Sequence, residues 1–172
     1  MQLPRQLKDM NVFNAANSFA GQAMKFTRPK LVIKTEDYRG AGMLGTVKLD
    51  MGLEAIEVEH EYGGDMPELN REFGTTDIDG SQLRFAGAYQ NDSTGRYDDV
   101  QIVVRGRHIE IDAGTDEVGA KSGTKYKTAC TYYKQTRNGR VEFEIDMIAG
   151  TFLVDGVDRH LFDRRLNRVV GL

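Results

Sequence analysis

One cysteine, three prolines and no long apolar run set the first limits on this 172-residue chain. Cys130 stands alone, so no internal disulfide can form and no oxidising compartment is required, which fits synthesis in a cytoplasm. No stretch reaches the roughly 18 apolar residues of a membrane helix. Near the start, Arg5, Lys8 and Asp9 interrupt any signal-type hydrophobic segment, so neither signal-peptide secretion nor membrane spanning is expected. Low-complexity tracts are missing as well, and 40% apolar with 28% charged residues is the composition of a chain that folds.

What is abundant is glycine, with 19 residues. Most of them lie between short runs rich in Val, Ile, Thr, Tyr and Phe, the pattern of strands joined by tight turns. A chain of this length fits one domain, residues 1–172, and buries about 70% of its unfolded surface, enough for a real core. The expected class is mainly β: an antiparallel two-sheet sandwich or barrel with one or two short helices.

Charge is nearly balanced overall at −3 but segregated along the chain. Residues 1–49 carry eight basic and three acidic side chains, whereas residues 50–80 carry ten acidic and one basic. Two readings fit: complementary patches that steer copies of the chain onto each other, or two solvated faces.

Along the chain, an irregular start gives way to strands over Ala20–Thr27 and Leu31–Asp37. Tyr38–Gly45 then reads as a loop, because Gly40, Gly42 and Gly45 admit positive φ. Val47–Met51 and Leu53–Tyr62 are extended, with Gly52 a bulge or bend. In the second run Ile56, Val58, His60 and Tyr62 share one parity, which places Glu57, Glu59 and Glu61 together on the opposite face. Asp65 and Glu68 suggest a capped helix of about two turns stopped by Gly74. Leu83–Tyr89, Val100–Val104 and Ile109–Ile111 alternate as strands, separated by loops at Asn91–Arg96 and Gly114–Gly123. Asn138-Gly139 between Tyr126–Gln135 and Val141–Met147 is a strong hairpin signal. At the end, Asp158 caps a helix striped by Leu161, Phe162, Leu166 and Val169, or the segment is an extended tail.

The motifs that carry chemistry do not form. Gly114 to Ser122 resembles a phosphate loop with one residue too many before Lys121, and Asp116 and Glu117 would repel phosphates. His60, His108 and His160 lack metal-ligand spacing, and Asp77-Ile78-Asp79-Gly80 lacks the later ligands of a calcium loop. Cys130 sits in an apolar strand pattern that suits a buried hydrophobe and not a thiolate. No nucleophile elbow is present, Asn91-Asp92-Ser93 is a sequon without a secretory route, and no basic stripe with interleaved aromatics supports nucleic-acid readout. No catalytic residue, cofactor or metal is expected, although a missing motif is weak support for a structural role.

Lys34-Thr35-Glu36, Tyr38-Arg39-Gly40 and Gly42-Met43, followed by Asp50 and Gly52-Leu53-Glu54-Ala55, resemble the major tail tube proteins of contractile-tailed bacteriophages and R-type bacteriocins. Asn11 and Phe13, Tyr132-Tyr133-Lys134, Glu144-Ile145-Asp146 and Gly156-Val157-Asp158 are similar too, in the family's order. Residues 75–124 carry no matching motif, and the C-terminal stretch is longer and richer in arginine.

The resemblance implies a structural virion protein of the tail, assembled in the bacterial host cytoplasm. Six copies would form a ring sharing one β-barrel, and rings would stack head to tail into the inner tube. Implied partners are further copies of the chain, a tail sheath protein, a tape-measure protein, and baseplate and tail-terminator proteins. DNA would pass through the lumen without sequence-specific binding; in a bacteriocin the tube would instead puncture a membrane and leak ions. Alternatives are a type VI secretion tube protein, or a small β-barrel hydrolase or ligand-binding protein.

Inter-subunit assembly is expected of Asn11, Phe13, Lys34, Glu36, Tyr38, Arg39, Gly40, Gly42, Met43 and Asp50, with the N-terminal arm 1–17 and the segment 158–172 adding contacts. Glu57, Glu59 and Glu61 either face the lumen, where they would repel DNA, or pair with Lys30, Lys34 or Lys48 across the sheet.

Overall fold

The computed structural model describes residues 1–160 together with 169 and 171. The helix expected over Leu161–Val169 therefore lies outside the described residues, as does most of the 158–172 segment.

Eleven strands and one helical turn make up the described fold, and the paired strands all run antiparallel. In chain order they are β1 (Arg5–Asn14), β2 (Ala23–Thr27), β3 (Ile33–Tyr38), β4 (Val47–Leu53), β5 (Ile56–Gly63), α1 (Pro67–Asn70), β6 (Ser81–Asn91), β7 (Tyr97–Asp112), β8 (Gly123–Arg137), β9 (Arg140–Asp146), β10 (Thr151–Val154) and β11 (Val157–Asp158). This is the mainly β, antiparallel class expected from the sequence.

β8 organises the fold. Its 15 residues pair with β7 along one edge and divide the other edge between β5, opposite Gly123–Cys130, and β9, opposite Tyr132–Arg137. One path of the sheet thus runs β2-β5-β8-β7-β6-β1, and a second leaves through β9, β10 and β11. The first path folds back on itself: Phe26 of β2 stacks on Phe85 of β6 with ring centroids 4.7 Å apart. Val12, Phe19, Ile56, Val58, Leu83, Phe85, Ile102 and Ile145 fill the space between layers. Burying each such side chain contributes about 1.5–3 kcal/mol.

Close approach of β7 and β8 depends on Gly106, where β8 carries a bulge at Thr131; a Cβ there would lie 1.9 Å from the Ala129 carbonyl oxygen. The β8–β9 hairpin closes as the sequence predicts, with Asn138 and Gly139 both at positive φ, 49° and 80°.

Several local expectations are corrected. Residues 1–19, expected to be irregular, contain β1, and β10 and β11 also escaped the sequence reading. Ala20 to Gln22 form a turn, since the amides of Gln22 and Ala23 donate to the Phe19 carbonyl, so the strand starts at Ala23. Tyr38 extends β3 and is not part of the loop. Gly52, at φ 95°, is a bulge inside β4, and the strand break falls at Glu54-Ala55 instead.

α1 is a single turn entered through Met66 without a side-chain cap, so the Asp65 capping box does not form. The Asp65 carboxylate accepts instead from the Asn70 side chain at 3.0 Å, and Met66 holds the cap position. Tighter turns, with Glu72 donating to Leu69 and Phe73 to Asn70, carry the chain to Gly74 at φ 80°.

Candidate functional site

β3 and β4 pair with each other and with no other strand among the described residues, forming a hairpin that projects from the body. Register puts Tyr38 opposite Val47 and Glu36 opposite Leu49 on one face, with Asp37 opposite Lys48 and Thr35 opposite Asp50 on the other. Alternation along β4 carries the first face on to Met51. Tyr38, Val47, Leu49 and Met51 are all exposed, the first and last by about half. The second face is polar, with Lys48 Nζ 2.8 Å from Asp37 Oδ1.

A two-stranded hairpin alone is marginally stable in water, and an apolar stripe along one face is a surface for another element to cover. Its tip, Arg39–Thr46, turns through Gly42 at φ 83° and holds Leu44 fully exposed. Met43 folds back inside the tip, its sulfur 3.0 Å from the Gly40 amide and its own amide donating to the Gly40 carbonyl.

Eight of the ten predicted assembly residues therefore meet on one element: Lys34, Glu36 and Tyr38 on β3, Arg39, Gly40, Gly42 and Met43 at the tip, and Asp50 on β4. Asp50 acts locally, its carboxylate accepting the Gly52 amide at 2.8 Å and shaping the bulge. Asn11 and Phe13 stand apart on β1 and are engaged within their own subunit. Asn11 donates to Ser18 Oγ at 2.9 Å, and the Arg84 guanidinium lies 4.2 Å above the Phe13 ring.

Glu57, Glu59 and Glu61 share one face of β5, as period two requires, while Ile56, Val58, His60 and Tyr62 are buried. Their expected partners Lys30, Lys34 and Lys48 are wrong: Lys34 and Lys48 belong to the projecting hairpin, and the strands beside β5 are β2 and β8. Lys127 Nζ lies 2.9 Å from Glu57, and Lys25 Nζ 3.9 Å from Glu61. Across β2, β5, β8 and β7 the register continues as Lys25, Glu61, Lys125, Asp112, an alternating row of charge. A cleft of about 270 Å³ lies along this row.

One cluster was invisible in the sequence. His60 and His108, 48 positions apart, both reach the Thr128 hydroxyl, at 2.9 and 2.8 Å. His60 Nδ1 lies 2.9 Å from the Tyr62 hydroxyl, and His108 Nε2 lies 3.4 Å from a Glu72 carboxylate oxygen. Burial, with His108 adding to it, lowers His60 to about 3, so it is a neutral imidazole at ordinary pH. At 2% and 4% exposure the two rings are core groups; three of their four nitrogens have a hydrogen-bond partner, while His108 Nε2 faces Glu72 without forming a hydrogen bond. Only β pairing of β5, β8 and β7 joins them, and no local spacing could have signalled it. Among the described residues no group of His, Cys, Asp and Glu is arranged to hold a metal ion.

Comparison with known proteins identifies this architecture. The family model for phage tail tube protein FII matches residues 4–166. The tail tube protein of Escherichia phage P2 is 43% identical over 162 residues, covering 92% of this chain and 94% of that protein. The major tail tube protein of Serratia phage KSP20 is 33% identical over 174 residues, covering 100% and 99%. Among solved structures, the fold is shared with the PVC sheath/tube terminator of an extracellular contractile injection system in its extended state, at TM-score 0.59 and 7% identity over 77% of this chain and 96% of that one. A chain of the sheath-tube complex of the same type of system gives TM-score 0.58 at 7% identity over 77% and 91%. The chain therefore belongs to the phage tail tube protein FII family, the structural tail tube proteins of contractile-tailed phages.

Proposed function

We propose that this protein works as a polymer: six copies close into a ring, and rings stack head to tail into the hollow inner tube of a contractile tail. The observation that carries the reading is the projecting β3–β4 hairpin, whose apolar face of Tyr38, Val47, Leu49 and Met51 has no cover among the described residues. A second support is the pair of outer strands β1 and β2, each paired with a strand on one side only among the described residues. Such edges invite pairing with another chain, and closure around a ring removes them. A rotation that closes gives the ring, while an axial contact that does not close grows a filament.

In this reading the role is structural and not catalytic, and the protein is a component of the virion assembled in the host cytoplasm. A tail sheath surrounds the tube, a terminator ends it, a baseplate nucleates it and a tape-measure protein sets its length. DNA passes through without sequence-specific contact. In a DNA-free bacteriocin the same tube would puncture a membrane, as an assembly; no helix of the described residues is long and apolar enough to cross one.

Electron microscopy of the purified protein tests this directly. Wild type should form rings or tubes, and Leu49→Asp should leave folded, dispersed subunits. Tubes of normal yield from Leu49→Asp, and from Arg39→Glu and Gly42→Val at the tip, would show that the hairpin is not an assembly element.

Glu57, Glu59 and Glu61 belong to a face that, across β2, β5, β8 and β7, exposes five carboxylates to three lysines along the cleft and its rim. Facing the lumen, that excess would repel DNA, which carries one charge per roughly 1.7 Å of duplex. The Glu57–Lys127 and Glu61–Lys25 pairs favour a second reading, in which the row stabilises the sheet through cross-strand ion pairs. Replacing all three glutamates by lysine separates these: intact tubes with impaired DNA delivery support the lumen, and weakened subunits support cross-strand pairing.

A further inference from the structure

The hairpin leaves the body through two legs, and each has an anchor among the described residues. On the β4 side the anchor is apolar: Leu53, half-buried, packs against the core. Across the root the Glu54 amide donates to the Val32 carbonyl at 2.9 Å and ties the legs together. On the other side, β2 makes its last pairing at Thr27, opposite Glu59, and β3 begins only at Ile33. Arg28 is the first residue of that intervening segment. It is half-buried, whereas Lys30, two residues on, is exposed.

Arg28 crosses the sandwich. Its guanidinium lies 4.8 Å over the ring of Tyr89 on β6 and donates a hydrogen bond to that tyrosine's hydroxyl. Phe26, two residues earlier, stacks on Phe85, four residues before Tyr89, so the end of β2 and the residue after it both reach β6. The Arg28 charge also acts on Glu142 of β9, and it opposes the burial that pushes the Tyr133 hydroxyl up to about 12. Pro29 follows at once. It fixes its own φ and disfavours the helical region for Arg28, which restricts the direction in which the chain departs from the Arg28 anchor.

We infer that Arg28, clamped on Tyr89, is the positioning residue that aims the β3–β4 hairpin at the neighbouring copy. This rests on the assembly role proposed for that hairpin. A planar cation stacked on an aromatic face resists rotation as well as displacement, which a lysine at the same place would not do. With Leu53 alone as anchor, the hairpin would swing about one leg, and each subunit would have to order it on binding. Preorganisation of that kind raises affinity without adding a contact.

Spin labels at Ala41→Cys on the tip and Gln82→Cys on β6 report the aim of the hairpin, measured as a distance distribution in subunits kept below the assembling concentration. Arg28→Ala should broaden that distribution while the melting temperature of the subunit stays near wild type. In parallel, the critical concentration for tube formation should rise about tenfold or more. A distribution as narrow as wild type overturns the clamp whatever the tubes do. A broadened distribution with wild-type assembly leaves the clamp standing and overturns the assembly role of the hairpin. If Arg28→Ala does not fold, Arg28→Lys decides, since it keeps the charge and removes the planar group stacked on the ring: broadening supports the clamp, and a wild-type distribution overturns it.

Discussion

Asn138 holds Asp99 as a strand neighbour would, although only one of the two lies in a strand. The Asn138 amide donates to the Asp99 carbonyl at 2.8 Å, and the Asp99 amide donates to Asn138 Oδ1 at 2.9 Å. The side-chain amide also donates to Asp98 at 2.9 Å, and it is the first of the contacts that keep the Asp98 carboxyl below its usual range. The turn between β8 and β9 is thereby fastened to β7. Asn138→Ala removes two of these bonds and places a β-carbon residue without local hydrogen bonding at φ 49°. Each factor costs on the order of 1 kcal/mol, so denaturant unfolding of the dissociated subunit should show a loss of about 2–3 kcal/mol. Asn138→Gly should lose less, because glycine accepts that backbone conformation.

His60 makes stability pH-dependent. Its folded value, about 3, lies below the ordinary 6.5, so the unfolded chain takes up a proton on this side chain before the folded one does. The sign follows: His60 leaves stability at its full value above about pH 6.5 and erodes it as pH falls toward 3, by up to about 1.4 kcal/mol per pH unit. Urea midpoints taken between pH 7 and pH 4 should fall more steeply for wild type than for His60→Gln, which cannot take up that proton.

Gly106→Ala should be among the most damaging single-atom additions. The new carbon would meet backbone, the Ala129 carbonyl, and not the movable end of a side chain. Overpacking costs typically 1–3 kcal/mol, and a backbone clash belongs at or above the upper limit, about 3 kcal/mol. Low soluble yield and a depressed melting temperature are expected. Gly45→Ala, which meets nothing within 4 Å, is the control and should fold normally.

Cys130 should be inert. Burial is the main influence that pushes its thiol up to about 12, and the side chain is 6% exposed. A thiol-reactive dye should fail to label the native protein at neutral pH and should label it stoichiometrically once denaturant is added. Rapid labelling of native protein would show that β5 and β8 separate readily.

What the chain reveals before folding is local. Asn138-Gly139 names its own turn because few residues accept two successive positive φ angles. The Ile56–Tyr62 run declares its buried face because adjacent side chains in a strand must point opposite ways. β1 hides for the same reason in reverse: a bulge between Leu7 and Asp9 breaks the alternation that would have marked it. The glycine loop and its flanks were legible as an assembly element through family likeness. That they form a hairpin paired with no other strand, its apolar face uncovered among the described residues, was not, because a sequence does not say which strands remain unpaired.

Tertiary structure alone decided the long-range pairings. It assigned Lys25 and Lys127 to the glutamate row in place of Lys34 and Lys48, brought His60 and His108 to one threonine, and laid Arg28 on Tyr89, 61 positions away. Each depends on which strand lies beside which and in what register. That is settled by the packing of the whole core, so residues within a few positions of each other carry no record of it.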